Sequence, residues 1–277
     1  MDKVNDKQLP LTSYIQALPV LTHYTRIVLT SYDKTSSETR DTIIMNFMAR
    51  SITSLRGILQ LWQTQDFHDC WVLYRAILDR LFHLETLSKD DSFEAFDNWC
   101  FKNAYEYKIR CLNDPVAVKK ITEENIEYFT PSQEDKERYN ELDQEKIIWK
   151  RPRARKVATK MQLDFFYHYG YNFASKFVHP TSKEGLEDRS RLTGTPLDKS
   201  YDDQITVIGN SFLVMHAILL QGLIFSQLLW ASPVMQFLEE FAEFLSEGSN
   251  KYLRTMSVLF QMERRGLALC KKRPKQD

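Results

Sequence analysis

Apolar residues recur at helical spacing along almost the whole chain, and no long stretch alternates between apolar and polar positions. A period near 3.6 residues is typical of amphipathic helices, whereas a period of two is typical of strands. The pattern therefore predicts an all-α fold. We predict helices over residues 11–32, 40–65, 67–88, 91–112, 134–148, 154–179, 203–231, 234–247 and 250–270.

The most apolar segment, residues 212–230, approaches the length of about 20 residues that spans a bilayer. It also carries polar side chains, among them His216 and Gln221, and few basic residues flank it closely. A buried central helix is therefore preferred to a membrane span. We expect a single-domain helix bundle over residues 1–277 around this helix, with a charged segment at 114–150 and a helical extension at 234–277.

Composition narrows the classes of function. The chain has 8 glycines in 277 residues, about 3% against the usual ~7%, which leaves few for phosphate loops. Lys and Arg together number 37, as do Asp and Glu, so no net charge directs the protein to nucleic acid or to an anionic membrane. Four scattered cysteines and an N-terminus without an apolar signal segment predict a cytoplasmic location.

The motifs of several enzyme classes are missing from the sequence. It contains no H-E-x-x-H, no G-x-S-x-G, no P-loop and no G-x-G-x-x-G. No acidic residue stands three positions before a histidine, which excludes the Glu-x-x-His signature of ferritin-like dimetal bundles. We therefore predict no metal site and no cofactor.

Two of the predicted helices carry a narrow polar stripe on an otherwise apolar surface. At 100° per residue, each stripe falls within an arc of about 80°, and Phe173 and Phe177 lie outside the second one. Such stripes can face water, satisfy each other inside the bundle, or form a ligand or catalytic site. The stripes comprise His68, Arg75, Asp79, His83 and Thr86 on the first helix and Asp164, His168, Tyr171, Ser175 and His179 on the second.

Charge is segregated in the middle of the chain. An acid-rich stretch over 122–146 is followed by a basic stretch over 150–160 that contains no acid. The two stretches could neutralise each other on the surface, or the bases could contact a nucleic-acid backbone. The candidate nucleic-acid-binding residues are Lys150, Arg151, Arg153, Arg155 and Lys156.

Three segments together resemble a known family. They are the helix 73–87 with Arg75 and Asp79 four residues apart, the basic stretch after Trp149, and the pattern Tyr171-x-x-x-Ser175-x-x-x-His179-Pro180. Together they resemble the bacterial domain-of-unknown-function family DUF5677 over about residues 45–230. The family usually has glutamate where this chain has Asp79. The resemblance implies a candidate site formed by Arg75, Asp79, Tyr171, Ser175 and His179.

The sequence is also loosely similar to the HEPN helical domains, many of which are metal-independent ribonucleases in toxin and anti-phage systems. Those enzymes use an arginine that precedes a histidine with four to six residues between them, the arginine for phosphate charge and the histidine for proton transfer. No histidine of this chain is preceded by an arginine at that spacing. A ribonuclease would have to recruit Arg75 or Lys176 instead.

Three hypotheses follow. The first is a bacterial defence or stress-system component whose candidate site binds nucleotide or nucleic-acid phosphate, in its sharpest form a metal-independent ribonuclease with His179 as the acid–base group. The second is a non-enzymatic interaction subunit, with a protein partner or as a homodimer, in which the same residues form a buried structural network. The third, ranked last, is a membrane-associated protein anchored through residues 212–230.

Overall fold

The computed structural model describes residues 9–36, 38–120, 123–145, 149–178, 185–195 and 205–274. These residues fold almost entirely into helices, which confirms the all-α class. The chain divides into two compact units, a larger one of Met1–Thr86 with Pro152–Asp277 and a smaller one of Leu87–Arg151. The grouping of the whole chain into a single domain stays a prediction.

The elements follow one another in chain order, with a π-helix (Phe166–Tyr171) between α8 and α9. The helices are α1 (Leu11–Asp33), α2 (Thr39–Gln63), α3 (Phe67–Lys89), α4 (Phe93–Asn113), α5 (Pro115–Lys120), α6 (Glu123–Phe129), α7 (Gln133–Gln144), α8 (Ala154–Lys160), α9 (Asn172–Val178), α10 (Leu186–Thr193), α11 (Ile205–Phe225), α12 (Ser232–Glu247) and α13 (Tyr252–Arg264). The strands β1 (Leu228–Trp230) and β2 (Cys270–Lys272) pair antiparallel.

Helix α11 is the long apolar helix expected at the centre of the bundle. It packs against α1, α2 and α12, and Gly222 lets it approach α2 so closely that an added Cβ would lie 2.2 Å from Cε of Met48. By length and composition the segment Thr206–Phe225 could cross a membrane, but 61% of it is buried inside the fold. Its apolar surface is thus used mostly for packing between helices.

Two polar side chains of α11 form hydrogen bonds within this core, although Oε1 of Gln221 is buried without a partner among the described residues. Gln221 donates from Nε2 to Oε2 of the buried Glu85 on α3 at 2.9 Å. The ring of His216 is hydrogen-bonded through Nε2 to the carbonyl oxygen of Leu238 at 2.9 Å, and burial lowers the pKa of this histidine. Because a carbonyl can only accept, Nε2 carries the proton. These contacts explain how polar residues occur on a buried apolar helix.

Buried tyrosines of α1 connect it to α11 and α12. The hydroxyl of Tyr32 donates to the carbonyl oxygen of Gly222 at 2.8 Å, and that of Tyr24 donates to the carbonyl oxygen of Val234 at 2.9 Å. Burial raises the pKa of both phenols. Gly222 lies in the last turn of α11, where carbonyls lack an intrahelical donor, so Tyr32 supplies a missing partner.

The smaller unit is built around α4, which packs against α5, α6 and α7. The ring of Trp149 lies 4.8 Å from the rings of Phe96 and Trp99, measured between centroids. Arg138 on α7 forms an ion pair with Asp97 at 2.7 Å. The short helices α5 and α6 were not predicted, because neither presents a long enough apolar stripe to give a helical period.

The predicted helix over 154–179 is wrong in one respect, since the chain breaks it after Lys160. Gln162 adopts a left-handed conformation with φ of 60°, and the amide of Leu163 bonds back to the carbonyl of Ala158 at 2.8 Å. This arrangement resembles the C-terminal capping motif in which a residue in the left-handed conformation, usually glycine, ends a helix. Here a glutamine occupies the left-handed position. The chain then re-enters helical geometry and continues as the π-helix and α9.

The sequence predicts no helix between residues 179 and 203, and this is corrected in part, because α10 occupies the middle of that interval. Gly185 and Gly194 have φ of 74° and 68° and bracket the helix at both ends. The helices predicted to reach residues 231 and 270 end earlier, at Phe225 and Arg264, and the residues beyond them supply the two paired strands.

We expect Tyr32→Phe to lower the free energy of unfolding by about 1–2 kcal/mol, because it leaves the buried Gly222 carbonyl without its donor. Tyr14→Phe is the matched control, since Tyr14 is also buried on α1 and its hydroxyl makes no hydrogen bond with the described residues. The measurement is urea denaturation of both variants. Equal midpoints for the two variants would contradict the proposed role of the Tyr32 hydroxyl.

Candidate functional site

The structure brings together Arg75 of α3 and Tyr171 of the π-helix, one residue from each predicted stripe. The guanidinium carbon of Arg75 lies 4.8 Å from the centroid of the Tyr171 ring. Nη2 of Arg75 also donates to the Tyr171 hydroxyl at 3.3 Å. A cation over an aromatic face with a second polar contact holds the guanidinium in one orientation.

This contact depends on a close approach of the π-helix to α3. A Cβ added to Gly170 would lie 2.4 Å from the hydroxyl oxygen of Tyr74 and 2.9 Å from Cε1 of the same ring. Tyr74 is fully buried, so its ring has little room to move. Glycine at position 170 is therefore required for Tyr171 to reach Arg75.

Aromatic rings extend the contact along α3 toward its N-terminal end. Trp71 packs edge-on against Phe173 with ring centroids 4.8 Å apart, and His68 stacks on Phe177 at 4.7 Å. An uninterrupted helix over 154–179, at 100° per residue, would place these phenylalanines outside the polar stripe. The π-helix changes the angular phase of the residues after it, so α9 presents its phenylalanines to α3.

Arg75 has a hydrogen-bond donor that no residue in the described part of the chain accepts. Its Nε is buried and has no hydrogen-bond partner among the described residues. The same residues offer it no ion pair, and Asp79, four positions along α3, does not bond to it. The hydroxyl of Tyr74, next to Arg75 in sequence, is likewise buried without a described partner.

The remaining residues of the predicted site differ in what they contact. Ser175 donates its hydroxyl to the carbonyl of Tyr171 at 2.8 Å, which is a bond within its own helix. The carbonyl of Asp79 bonds to Nδ1 of His83 at 2.7 Å, and the carboxylate of Asp79 partly offsets the burial that lowers the pKa of Arg80. His179 lies outside the described residues.

The five candidate nucleic-acid-binding residues are all exposed but do not belong to one unit. Lys150 and Arg151 belong to the smaller unit, whereas Arg153, Arg155 and Lys156 belong to the larger one. Arg153 precedes α8, and the other two lie on it. In the larger unit, none of these three side chains forms an ion pair with a described residue.

Tyr74, Gly170 and Trp71 contribute to the site, although sequence reasoning did not select them. A glycine inside an aromatic helical pattern was the available signal, since it marks a position where another element approaches closely. Within the described residues, no group of three or more His, Cys, Asp or Glu side chains could hold a metal ion.

The fold and the Arg75–Tyr171 contact together define the class of protein. It is an all-helical protein in which an arginine of one helix packs on a tyrosine of a neighbouring π-helix. The chain belongs to a family of unknown function, DUF5677, whose model matches residues 41–191. This confirms the family resemblance, and the match ends nearer to the N-terminus than the expected residue 230. No curated protein and no solved structure matches the chain.

Gly170→Ala should lower the free energy of unfolding by about 1–3 kcal/mol, because the added methyl group overpacks the contact with the Tyr74 ring. Gly57→Ala on α2 is the matched control, since its Cβ meets only the terminal Cδ1 of Leu73, at 3.0 Å. It should be close to neutral, because alanine also favours a helix. Chemical denaturation compares the two, and a Gly170→Ala variant as stable as wild type would refute the tight approach.

Proposed function

We propose that the Arg75–Tyr171 pair binds a phosphate group of a nucleotide or a nucleic acid. The observation that carries this proposal is a half-buried arginine, held by an aromatic ring, that has no carboxylate partner among the described residues. Arginines inside protein folds are usually neutralised by an acid. An arginine without one is suited to an anion from outside the chain.

The donor arrangement supports phosphate as that anion. The planar guanidinium presents donors in a fork that matches two phosphate oxygens, and Nη2 is already oriented by the Tyr171 hydroxyl. The buried Nε is an unsatisfied donor, a state that costs about 1–3 kcal/mol. A ligand oxygen would satisfy this donor, so binding would recover part of that free energy.

The sharper form of the proposal is a cytoplasmic, metal-independent ribonuclease acting in a bacterial defence or stress system. In such a reaction a base takes the proton of the ribose 2′-hydroxyl, the 2′-oxygen attacks phosphorus, and the P–O5′ bond breaks. The leaving 5′-oxygen takes a proton, and a 2′,3′-cyclic phosphate remains. His179 would accept and return the proton, and Arg75 would stabilise the negative charge on the phosphate oxygens.

The alternative is an interaction subunit in which the same residues only hold α3 to the π-helix and α9. It is favoured by the aromatic contacts around the site and by the Ser175 hydroxyl, which is engaged within its own helix. In that case Arg75 and Tyr171 stabilise the fold, and no anion is needed. The two functions differ in what removal of the arginine changes.

Arg75→Gln should weaken binding of inorganic pyrophosphate by about tenfold or more, because a charge-assisted hydrogen bond contributes ~1.5–3 kcal/mol. Pyrophosphate should raise the melting temperature of the wild-type chain, by mass action, and titration calorimetry should give its dissociation constant. Arg254→Gln is the matched control, since Arg254 is an exposed arginine on α13. It should bind pyrophosphate as the wild type does.

Equal binding by wild type and Arg75→Gln would contradict a phosphate site at this arginine. A large loss of stability in Arg75→Gln, together with no pyrophosphate binding by the wild type, would establish the structural alternative instead.

The ribonuclease form is tested with a fluorogenic single-stranded RNA in the presence of EDTA. We expect His179→Gln to reduce cleavage by about 10²–10⁴-fold with an unchanged melting temperature, since that is the usual contribution of an acid–base group. His23→Gln on α1 is the control and should cleave normally. Absence of cleavage by the wild type, or full activity of His179→Gln, would reject this form while leaving phosphate binding intact.

A further inference from the structure

Two large aromatic side chains are exposed side by side at the start of the π-helix. The ring of Phe165 is 58% exposed and that of Tyr169 is 68% exposed. Their centroids lie 5.0 Å apart, and the ring planes are tilted by 35°. Single exposed aromatics are common, but two adjacent ones form a surface suited to a flat partner.

The geometry of the π-helix places this pair away from the Arg75 contact. Phe165 and Tyr169 are four residues apart and share one face, while Gly170 and Tyr171 turn toward α3. The contact with α3 holds the π-helix in place, so the exposed rings are carried on a supported element. They are therefore presented to solvent in a fixed arrangement.

Exposed positive charge lies on the helix that packs against the π-helix. Helix α8 packs directly against the π-helix and carries the exposed bases Arg155, Lys156 and Lys160. These three side chains form no ion pair with a described residue of the larger unit. Asp164, the one acid between residues 152 and 170, accepts a hydrogen bond from the Thr159 hydroxyl at 2.6 Å.

We infer that this surface, formed by Phe165, Tyr169, Arg155, Lys156 and Lys160, binds single-stranded nucleic acid. Unpaired nucleobases stack on exposed aromatic rings. The phosphates of the same strand are attracted to the neighbouring arginine and lysine side chains. A duplex keeps its base faces inside its own stack, so it cannot use the rings. The surface is separate from the Arg75 contact and does not depend on the proposed function of that contact.

The polar residues around the rings favour nucleic acid over a lipid surface. Gln162, Asp164 and His168 are exposed beside Phe165 and Tyr169. Insertion of the rings into a bilayer would bring the Asp164 carboxylate to an anionic headgroup region, which is unfavourable. A stacked base needs only the ring faces and leaves these polar side chains in water.

The test is fluorescence anisotropy of the full chain with a fluorescein-labelled 12-nucleotide oligouridylate, its deoxy counterpart and a 12-base-pair duplex. The wild type should bind both single strands about tenfold or more tightly than the duplex. The double variant Phe165→Ala/Tyr169→Ala should lose about tenfold or more in affinity for the single strands, because each stacked base contributes substantially. Arg155→Gln/Lys156→Gln should also bind more weakly and should show a shallower dependence of affinity on salt concentration.

Tyr128→Ala is the matched control, because Tyr128 is an equally exposed tyrosine, at 68%, on α6 of the smaller unit. It should bind the single strands as the wild type does, and the melting temperature of the double aromatic variant should stay close to that of the wild type. The wild type should bind the single strands whether or not it binds pyrophosphate, so failure of the phosphate proposal is distinguishable from failure of this one. Unchanged affinity of Phe165→Ala/Tyr169→Ala, a preference for the duplex, or binding to phosphatidylserine vesicles without binding to oligonucleotides would overturn the inference.

Discussion

The close approach of Gly170 to the buried ring of Tyr74 is the contact on which the rest of the site depends. Because Gly170 has no side chain, its backbone packs directly on the Tyr74 ring, and the next residue, Tyr171, reaches Arg75 with both its ring and its hydroxyl. The same approach holds the π-helix against α3. A π-helix is a rare and less favourable backbone geometry, and it persists where surrounding contacts support it.

With its position held, the π-helix presents two different chemical faces. One face carries Tyr171 toward a half-buried arginine that has unused donors, and the other carries Phe165 and Tyr169 into solvent. The family match over residues 41–191 includes both faces. Helix α11 lies outside that match, yet it packs closely on α2 and against the π-helix. The C-terminal helices thus complete the core that supports the site-bearing segment.

Helical periodicity was sufficient to predict the all-α class, the central apolar helix and the approximate bounds of α1 to α4. It also selected Arg75 and Tyr171 as members of polar stripes, and the structure places these two in contact. It could not show that the helix over 154–179 is interrupted, because a left-handed glutamine at position 162 has no sequence signature comparable to glycine. A projection at 100° per residue, which includes neither the interruption nor the π-helix, did not place Phe173 and Phe177 against α3.

The central claim is that Arg75 is an anion-binding arginine and not only a packing contact. It is tested most directly by following the Nε–Hε resonance of Arg75 in ¹H–¹⁵N NMR spectra during a titration with pyrophosphate, after assignment with the Arg75→Gln variant. A new hydrogen bond at the buried Nε should give a saturable downfield proton shift with the same dissociation constant as calorimetry. A resonance that stays unchanged while pyrophosphate binds elsewhere, or that does not respond because nothing binds, would contradict the claim.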